Sequence, residues 1–335
     1  MVCRSVSRQA TAYWQWMNYL SAFLADDKPV LRVNLDESSL KLHVPSRPGL
    51  VFEPSAKRRR KLLRSGKGPS LTTRRSAVTL IAFACDNAEV QRVLPQVFVV
   101  SEHVVKKSDV EDLNRRCRGN MLFARRKSSW VNADFAAEVI ATLAECLMEQ
   151  LRSYSVVLLM DTLSSHLRVN VLKACGKAGI HVLFVPASTT AWLQPLDVAV
   201  FSVFKGWVVR EIEVQRLAST DGLLTAPQML DIYRRGAESV IRGRSWVHAF
   251  DLVGLRGQSK VSRRLLDLLE LTSPLRISSE LPRYQDFEAV LPAGRSVPLE
   301  DMFAAALAIE KHKERLNRVL KLKTMLRLPR SAKLP

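Results

Sequence analysis

The sequence predicts an α/β fold, a mixed sheet flanked by helices with a helical C-terminal extension, and three observations carry that expectation. Apolar runs of strand length alternate with helix-length amphipathic segments between residues 135 and 217, the pattern of parallel βαβ units. Upstream, strand-like runs follow one another with no helix between them, at Leu31–Val44, Leu50–Phe52 and Ala77–Cys85. Beyond residue 218 the pattern shifts to shorter helical segments joined by Gly-, Pro- and Ser-rich loops.

In chain order, residues 6–25 place Ala12, Trp14, Met17, Leu20 and Phe23 at helical spacing, and Pro29 stops that first helix. Leu31–Leu35 and Leu40–Val44 alternate apolar and polar with period two, which predicts a half-buried strand with Asp36 in its middle. Pro48-Gly49 marks a turn before Leu50–Phe52, and Ala77–Cys85 reads as a buried strand. Residues 86–132 offer one further strand, Gln96–Ser101, and then polar, basic loops. Asn132-Ala-Asp134 starts a helix over Phe135–Leu151, with Phe135, Val139, Ile140, Leu143 and Leu147 on one face. The apolar run Val156–Met160 ends in Asp161, a helix follows from Ser164 to Lys177 and closes at Gly179, and Ile180–Pro186 is another buried strand. Pro195 then opens a long helix over Leu196–Leu217. These elements divide the chain into an N-terminal helix and linker (1–30), a core (31–217), a helical part (218–310) and a basic tail (311–335).

The 335 residues carry 51 Lys and Arg against 32 Asp and Glu, a net charge of +19 on a 47% apolar composition. That balance belongs to a globular chain with a basic surplus, and its length allows a core that needs no disulfide or metal support. Apolar stretches such as Val156–Met160 and Ala304–Ile309 fall far short of the roughly 20 residues that span a bilayer, so no membrane partner is expected. The N-terminus lacks an apolar signal core, and the five cysteines are at least 29 positions apart with no C-x-x-C. Both features point to a reducing compartment, and no zinc site is expected.

The surplus is local. Residues 56–75 hold nine basic residues and no acid: Lys57, Arg58, Arg59, Arg60, Lys61, Arg64, Lys67, Arg74 and Arg75. Residues 311–335 hold nine more with Glu314 alone opposing them, so these two segments contribute +17 and the rest of the chain +2. Concentrated positive charge suits a polyanion, because each neutralised phosphate releases condensed counterions. Lys57–Lys61 also has the composition of a nuclear-import signal, and a solvated surface loop is the simpler alternative. In the tail, Leu316, Val319, Leu320 and Leu326 share a helical face among the cations, although Lys323 interrupts it. Such a helix suits a partner, a membrane surface or packing on the body.

Three acids sit where structure alone does not demand them. Asp161 ends a buried strand, either as a cap for the next helix or as a metal ligand at the edge of the sheet. Asp36 lies within a strand pattern beside Glu37, where it either faces water or needs a partner against desolvation. Asp197 occupies the first turn of the helix after Pro195, a position the helix dipole already favours. As a set, three carboxylates suit a pair of Mg²⁺ ions about 3.5–4 Å apart.

The stretch Val156–His166, followed by His181–Phe201 with its Leu193-Gln194-Pro195-Leu196-Asp197 segment and Lys205, resembles the core of mariner/pogo-type DDE/D transposases. Asn34-Leu35-Asp36-Glu37-Ser38 resembles the first catalytic strand of that family, and Ser245–Leu255 its downstream helical segment. The resemblance implies a ribonuclease H-like fold with the first two acids on adjacent strands and the third on a helix. It makes Asp36, Asp161 and Asp197 the catalytic and metal-binding triad, with 35 residues between the second and third. It also implies two Mg²⁺ (or Mn²⁺) ions, DNA as substrate, DNA cleavage followed by strand transfer in the nucleus, and a homodimer if paired ends are processed. Trp192 and Gln194 would shape the site, and His166 would be a structural residue on a helix face. The family reads its DNA ends with helix-turn-helix domains, and the 35 residues before Asp36 are too few for one. Specificity is therefore expected from the basic segments, a partner or a longer chain. A non-catalytic DNA-binding descendant and a nuclease selective for branched DNA are the alternative readings.

Overall fold

The structure, a computed structural model, describes residues 28–42, 77–187, 189–219, 224–256 and 261–268, together with Gln9, Ala10, Tyr13, Trp14, Met17, Ser21 and Leu24. Leu50–Phe52, the basic segment 56–75 and the tail 311–335 lie outside the described residues. So do Ala12, Leu20 and Phe23 of the first helix, whereas Trp14 and Met17 are helical and buried.

One six-stranded sheet organises the chain. Its strands are β1 (Val30–Lys41), β2 (Ala77–Cys85), β3 (Gln96–Ser101), β4 (Met121–Arg126), β5 (Ser155–Asp161) and β6 (His181–Val185), in the order β4-β3-β2-β1-β5-β6. β2 runs antiparallel to both β1 and β3, while β3–β4, β1–β5 and β5–β6 are parallel. The sheet is therefore mixed and ribonuclease H-like, as the resemblance implied.

Helices cover both faces. On one side, α1 (Lys107–Arg116) contributes Val110 and Leu113 to the core. The far larger cover on this side comes from α4 (Phe201–Ala218), α5 (Ala226–Gly236) and α6 (Val247–Leu252), packed on Leu80, Ala82, Phe98, Val157 and Leu159. On the other side lie α2 (Ala133–Cys146) and α3 (Val169–Ala178), packed on Leu31, Val33, Leu35, Val156, Leu158 and Met160. The alternation of β5 between the two sets follows from the period-two geometry of a strand. Trp14 joins the N-terminal helix to the α4 side by donating from Nε1 to the Val253 carbonyl at 2.7 Å.

Three expectations need correction. β1 is not half-buried: it is a central strand between β2 and β5, and residues 33–36 are all buried. The stretch read as loops contains α1 and β4, which the sequence concealed because α1 buries only Val110 and Leu113 and β4 is an edge strand. The helix expected from Ser164 begins at Val169, and Gly179 closes it with φ 72°, a left-handed conformation that glycine adopts without strain.

Candidate active site

The parity of β1 separates its polar residues. Asn34 and Asp36 alternate with Val33 and Leu35, whose side chains pack toward α2 and α3, so the two polar residues belong to the α4 side of the sheet. Asn34 is fully buried and pairs with Leu159 across the parallel ladder. Its amide donates to the Leu159 carbonyl at 3.1 Å and the Leu35 carbonyl at 3.2 Å, and its Oδ1 accepts from the Leu196 N–H at 2.9 Å. Gln194 adds a second tie, Nε2 to the Leu35 carbonyl at 3.2 Å. The two amides thus fix the π-helical turn Leu196–Val200, which carries Asp197 and leads into α4, against the strand that carries Asp36.

The three acids are brought together from three elements. Asp36, 8% exposed, lies beside Asp197, and both feel the charge of Asp161 at the end of β5. Burial raises the Asp36 carboxyl to about 8, and the Asp197 charge adds to the rise although the Glu37 N–H donates to Asp36 Oδ1 at 2.8 Å. Asp197 is also raised, first by burial, with the nearby Lys205 ammonium opposing the shift. Asp36 is therefore not the outward-facing surface residue that the strand pattern allowed.

Asp161 is not the cap of α3, whose N-cap position is Arg168. Its Oδ1 instead accepts from the Leu163 N–H at 3.3 Å and from His166 Nδ1 at 2.6 Å. His166, 2% exposed, has its Nε2 3.6 Å from Glu37 Oε1, so the ring bridges the end of β5 to β1. It occupies a turn, not a helix face. Burial pushes the imidazole down, but the Asp161 hydrogen bond and the two carboxylates overcome this and raise it to about 9.

This bridge yields a stability prediction. A folded value above the ordinary 6.5 means that the contribution of His166 is complete below about pH 6.5 and fades as pH rises through about 9. His166→Ala is expected to lower stability by about 2–4 kcal/mol at pH 6, because it leaves Asp161 and Glu37 without their cation. His166→Asn, whose amide can take the place of Nδ1, should cost less. Urea denaturation at pH 6 and pH 9.5 checks both, and the difference between wild type and alanine variant should shrink at the higher pH.

By chemical type, though not by their present placement, the donors suit a divalent metal. Three carboxylates are hard oxygen ligands, Asp36 and Asp197 lie side by side, and the buried Gln194 Oε1 has no hydrogen-bond partner. As the side chains stand, no group of three or more His, Cys, Asp and Glu among the described residues could hold a metal ion. Asp161 Oδ1 is already engaged by His166. Trp192 is half-buried against the core on the α4 side, so it is part of that packing. The nine basic positions from Lys57 to Arg75 lie outside the described residues and are not placed relative to the acids. The site residues that sequence reasoning missed are Asn34 as a staple and Glu37 with His166 as a bridge. Asn34 and Glu37 lie within two residues of Asp36 in the matched motif, which was the available signal.

Residues 77–231 match the family model described as DDE superfamily endonuclease, a span that includes Asp161 and Asp197 and begins after β1. Among solved structures, the Mos1 transposase paired-end complex with left transposon end matches at 15% identity and TM-score 0.37, over 73% of this chain and 61% of that one. The catalytic domain of Mos1 mariner transposase matches at 14% identity and TM-score 0.35, over 72% of this chain and 92% of that one. The chain thus spans about three fifths of the length of the longer transposase chains it matches. A comparison with curated proteins found no match.

Proposed function

We propose that this chain, which carries a DDE superfamily endonuclease core, is a transposase-derived, metal-dependent DNA endonuclease and strand transferase. The observation that supports the reading is that Asp36 in a central strand and Asp197 at a helix start each feel the charge of Asp161 at a strand end. Asp36 precedes the matched span, so its assignment rests on this observation.

Asp36, Asp161 and Asp197 would hold two Mg²⁺ (or Mn²⁺) ions. When bound, such ions lower the pKa of an attacking water or 3′-hydroxyl and stabilise the leaving oxygen of a phosphodiester. The chain's own residues prepare that site. Asn34 and Gln194 set the position of Asp197 relative to Asp36, and the Glu37–His166 pair holds Asp161 at a fixed angle. Lys205, close enough to oppose the Asp197 shift, offsets part of the clustered negative charge before DNA arrives.

Lys57, Arg58, Arg59, Arg60, Lys61, Arg64, Lys67, Arg74 and Arg75 would hold the DNA backbone, positioning it without reading bases. Their segment connects Lys41 to Ala77, which are paired at one end of the β1–β2 ladder, so it leaves and re-enters the sheet at the C-terminal end of the strand bearing Asp36. In this reading residues 31–217 are the catalytic core, 218–310 support it and 311–335 add a second basic contact. Nuclear action and a homodimer on paired DNA ends belong to the same proposal. The test is DNA nicking by the full chain: it should require Mg²⁺ or Mn²⁺ and be lost in Asp161→Asn and Asp197→Asn, and nicking that persists in both variants would exclude it.

A further inference from the structure

Trp130, in the loop between β4 and α2, is 84% exposed, although the residues around it are firmly anchored. The next residue, Val131, is 8% exposed and lines a small internal space with Leu35, Glu37 and His166, the same groups that support the acids. Asn132 then caps α2 by accepting from the Phe135 N–H at 3.0 Å. Before the loop, the Arg126 guanidinium lies over the Phe135 ring, 4.4 Å from its centroid, and pairs with Glu138 at 3.5 Å. Within it, the Trp130 N–H donates to Ser128 Oγ at 3.3 Å. Asp134 Oδ1 accepts from Asn170 at 2.8 Å, which ties the start of α2 to the segment that follows the Asp161–His166 turn.

The indole is therefore not a side chain left on a loose loop. Its backbone is fixed one residue from the packing that supports the acid cluster, at the end of the sheet from which the 42–76 connection also departs. It is preceded by Arg125 and Arg126, which pair with Glu102 and Glu138, and by the exposed Lys127. A large aromatic face in water beside cations is the combination that stacks a base while neutralising its phosphate. Within an intact duplex both faces of each base are covered by neighbours, so such a ring can reach only a base at a strand end, a nick or a displaced nucleotide.

We propose that Trp130 is a stacking platform for an unpaired nucleobase of the DNA strand on which the acids act, with Lys127 meeting an adjoining phosphate. The inference rests on DNA being the substrate, as proposed above. Its test does not need catalysis. Fluorescence anisotropy of the full chain without divalent metal compares two labelled DNAs of one sequence, a fully paired duplex and the same duplex with a single-stranded overhang. Wild type should prefer the overhang by on the order of tenfold, the scale of one stacked base. Trp130→Ala should remove that preference and leave the paired duplex unaffected, Trp130→Phe should keep most of it, and Lys127→Ala should weaken both complexes alike and flatten their salt dependence. A wild type without preference, or an alanine variant that retains it, overturns the proposal. Either result would leave the nicking assay of the acids standing, and a failure to nick would leave this binding comparison readable.

Discussion

Asp36→Asn is expected to abolish nicking and, in the same protein, to raise the stability of the fold. Removing a ligand of the proposed metal pair should cost more than the roughly 10–100-fold typical of the residues that support ligands, so cleavage should fall by more than about a hundredfold. The gain in stability comes from electrostatics. Asp36 is buried, faces Asp197 and Asp161, and keeps its proton in the folded chain up to about pH 8. In the unfolded chain it releases that proton near the ordinary carboxyl value of 3.8. Between those limits the folded state binds more protons than the unfolded one, so this group makes wild-type stability fall as pH rises from about 4 to about 8. Asparagine carries no charge and removes the slope. Its advantage should therefore widen from pH 5 to pH 8, reach on the order of a few kcal/mol, and level off above. Thermal or urea denaturation in chelator-treated buffer measures it. Added Mg²⁺ should reverse the ranking, because it stabilises the wild type and leaves the variant unchanged.

Asn34→Leu should lose both properties. The substitution leaves the Leu196 N–H without its acceptor and the Leu159 carbonyl without its side-chain donor, deep in the sheet and far from water. Buried unsatisfied groups cost about 1–3 kcal/mol each, so a total loss of about 2–4 kcal/mol is expected by urea denaturation. The catalytic loss has a separate origin. Asp197 follows Leu196 directly, and the turn that carries both is held to β1 by Asn34 and Gln194. Freeing that turn should lower nicking by about a hundredfold even at a temperature where the variant remains folded, since ångström-scale misplacement of a catalytic group has that effect. The contrast is diagnostic: Asp36→Asn trades activity for stability, and Asn34→Leu gives up both.

Much of this arrangement was legible in the chain. Continuous apolar runs placed β2, β5 and β6, the Asn132 cap placed α2, and Gly179 placed the end of α3, because each signal is local. The elements that escaped notice bury few residues. β4 has buried side chains only at Met121 and Phe123, and α1 turns most of its surface to water, so neither writes a clear apolar period. The late start of α3 has a different cause. Asp161 draws the chain back through Leu163 N–H and His166, and that turn consumes the residues that would have formed the first helical turns. The acids themselves were visible as misfits in strand and helix patterns. What their supports bond to was not: Asn34 reaches Leu196 across 162 residues and Gln194 reaches Leu35 across 159, distances over which no periodicity reports.

The proposed function turns on Asp36, Asp161 and Asp197 acting together through divalent metal to cut DNA. Nicking of supercoiled plasmid by the full chain, titrated with Mg²⁺ and Mn²⁺ for wild type and for each single asparagine variant, tests that most directly. Cleavage should appear only with metal in the wild type and be absent from all three variants. Cleavage that survives chelation, or that proceeds at the wild-type rate in any one variant, would contradict it.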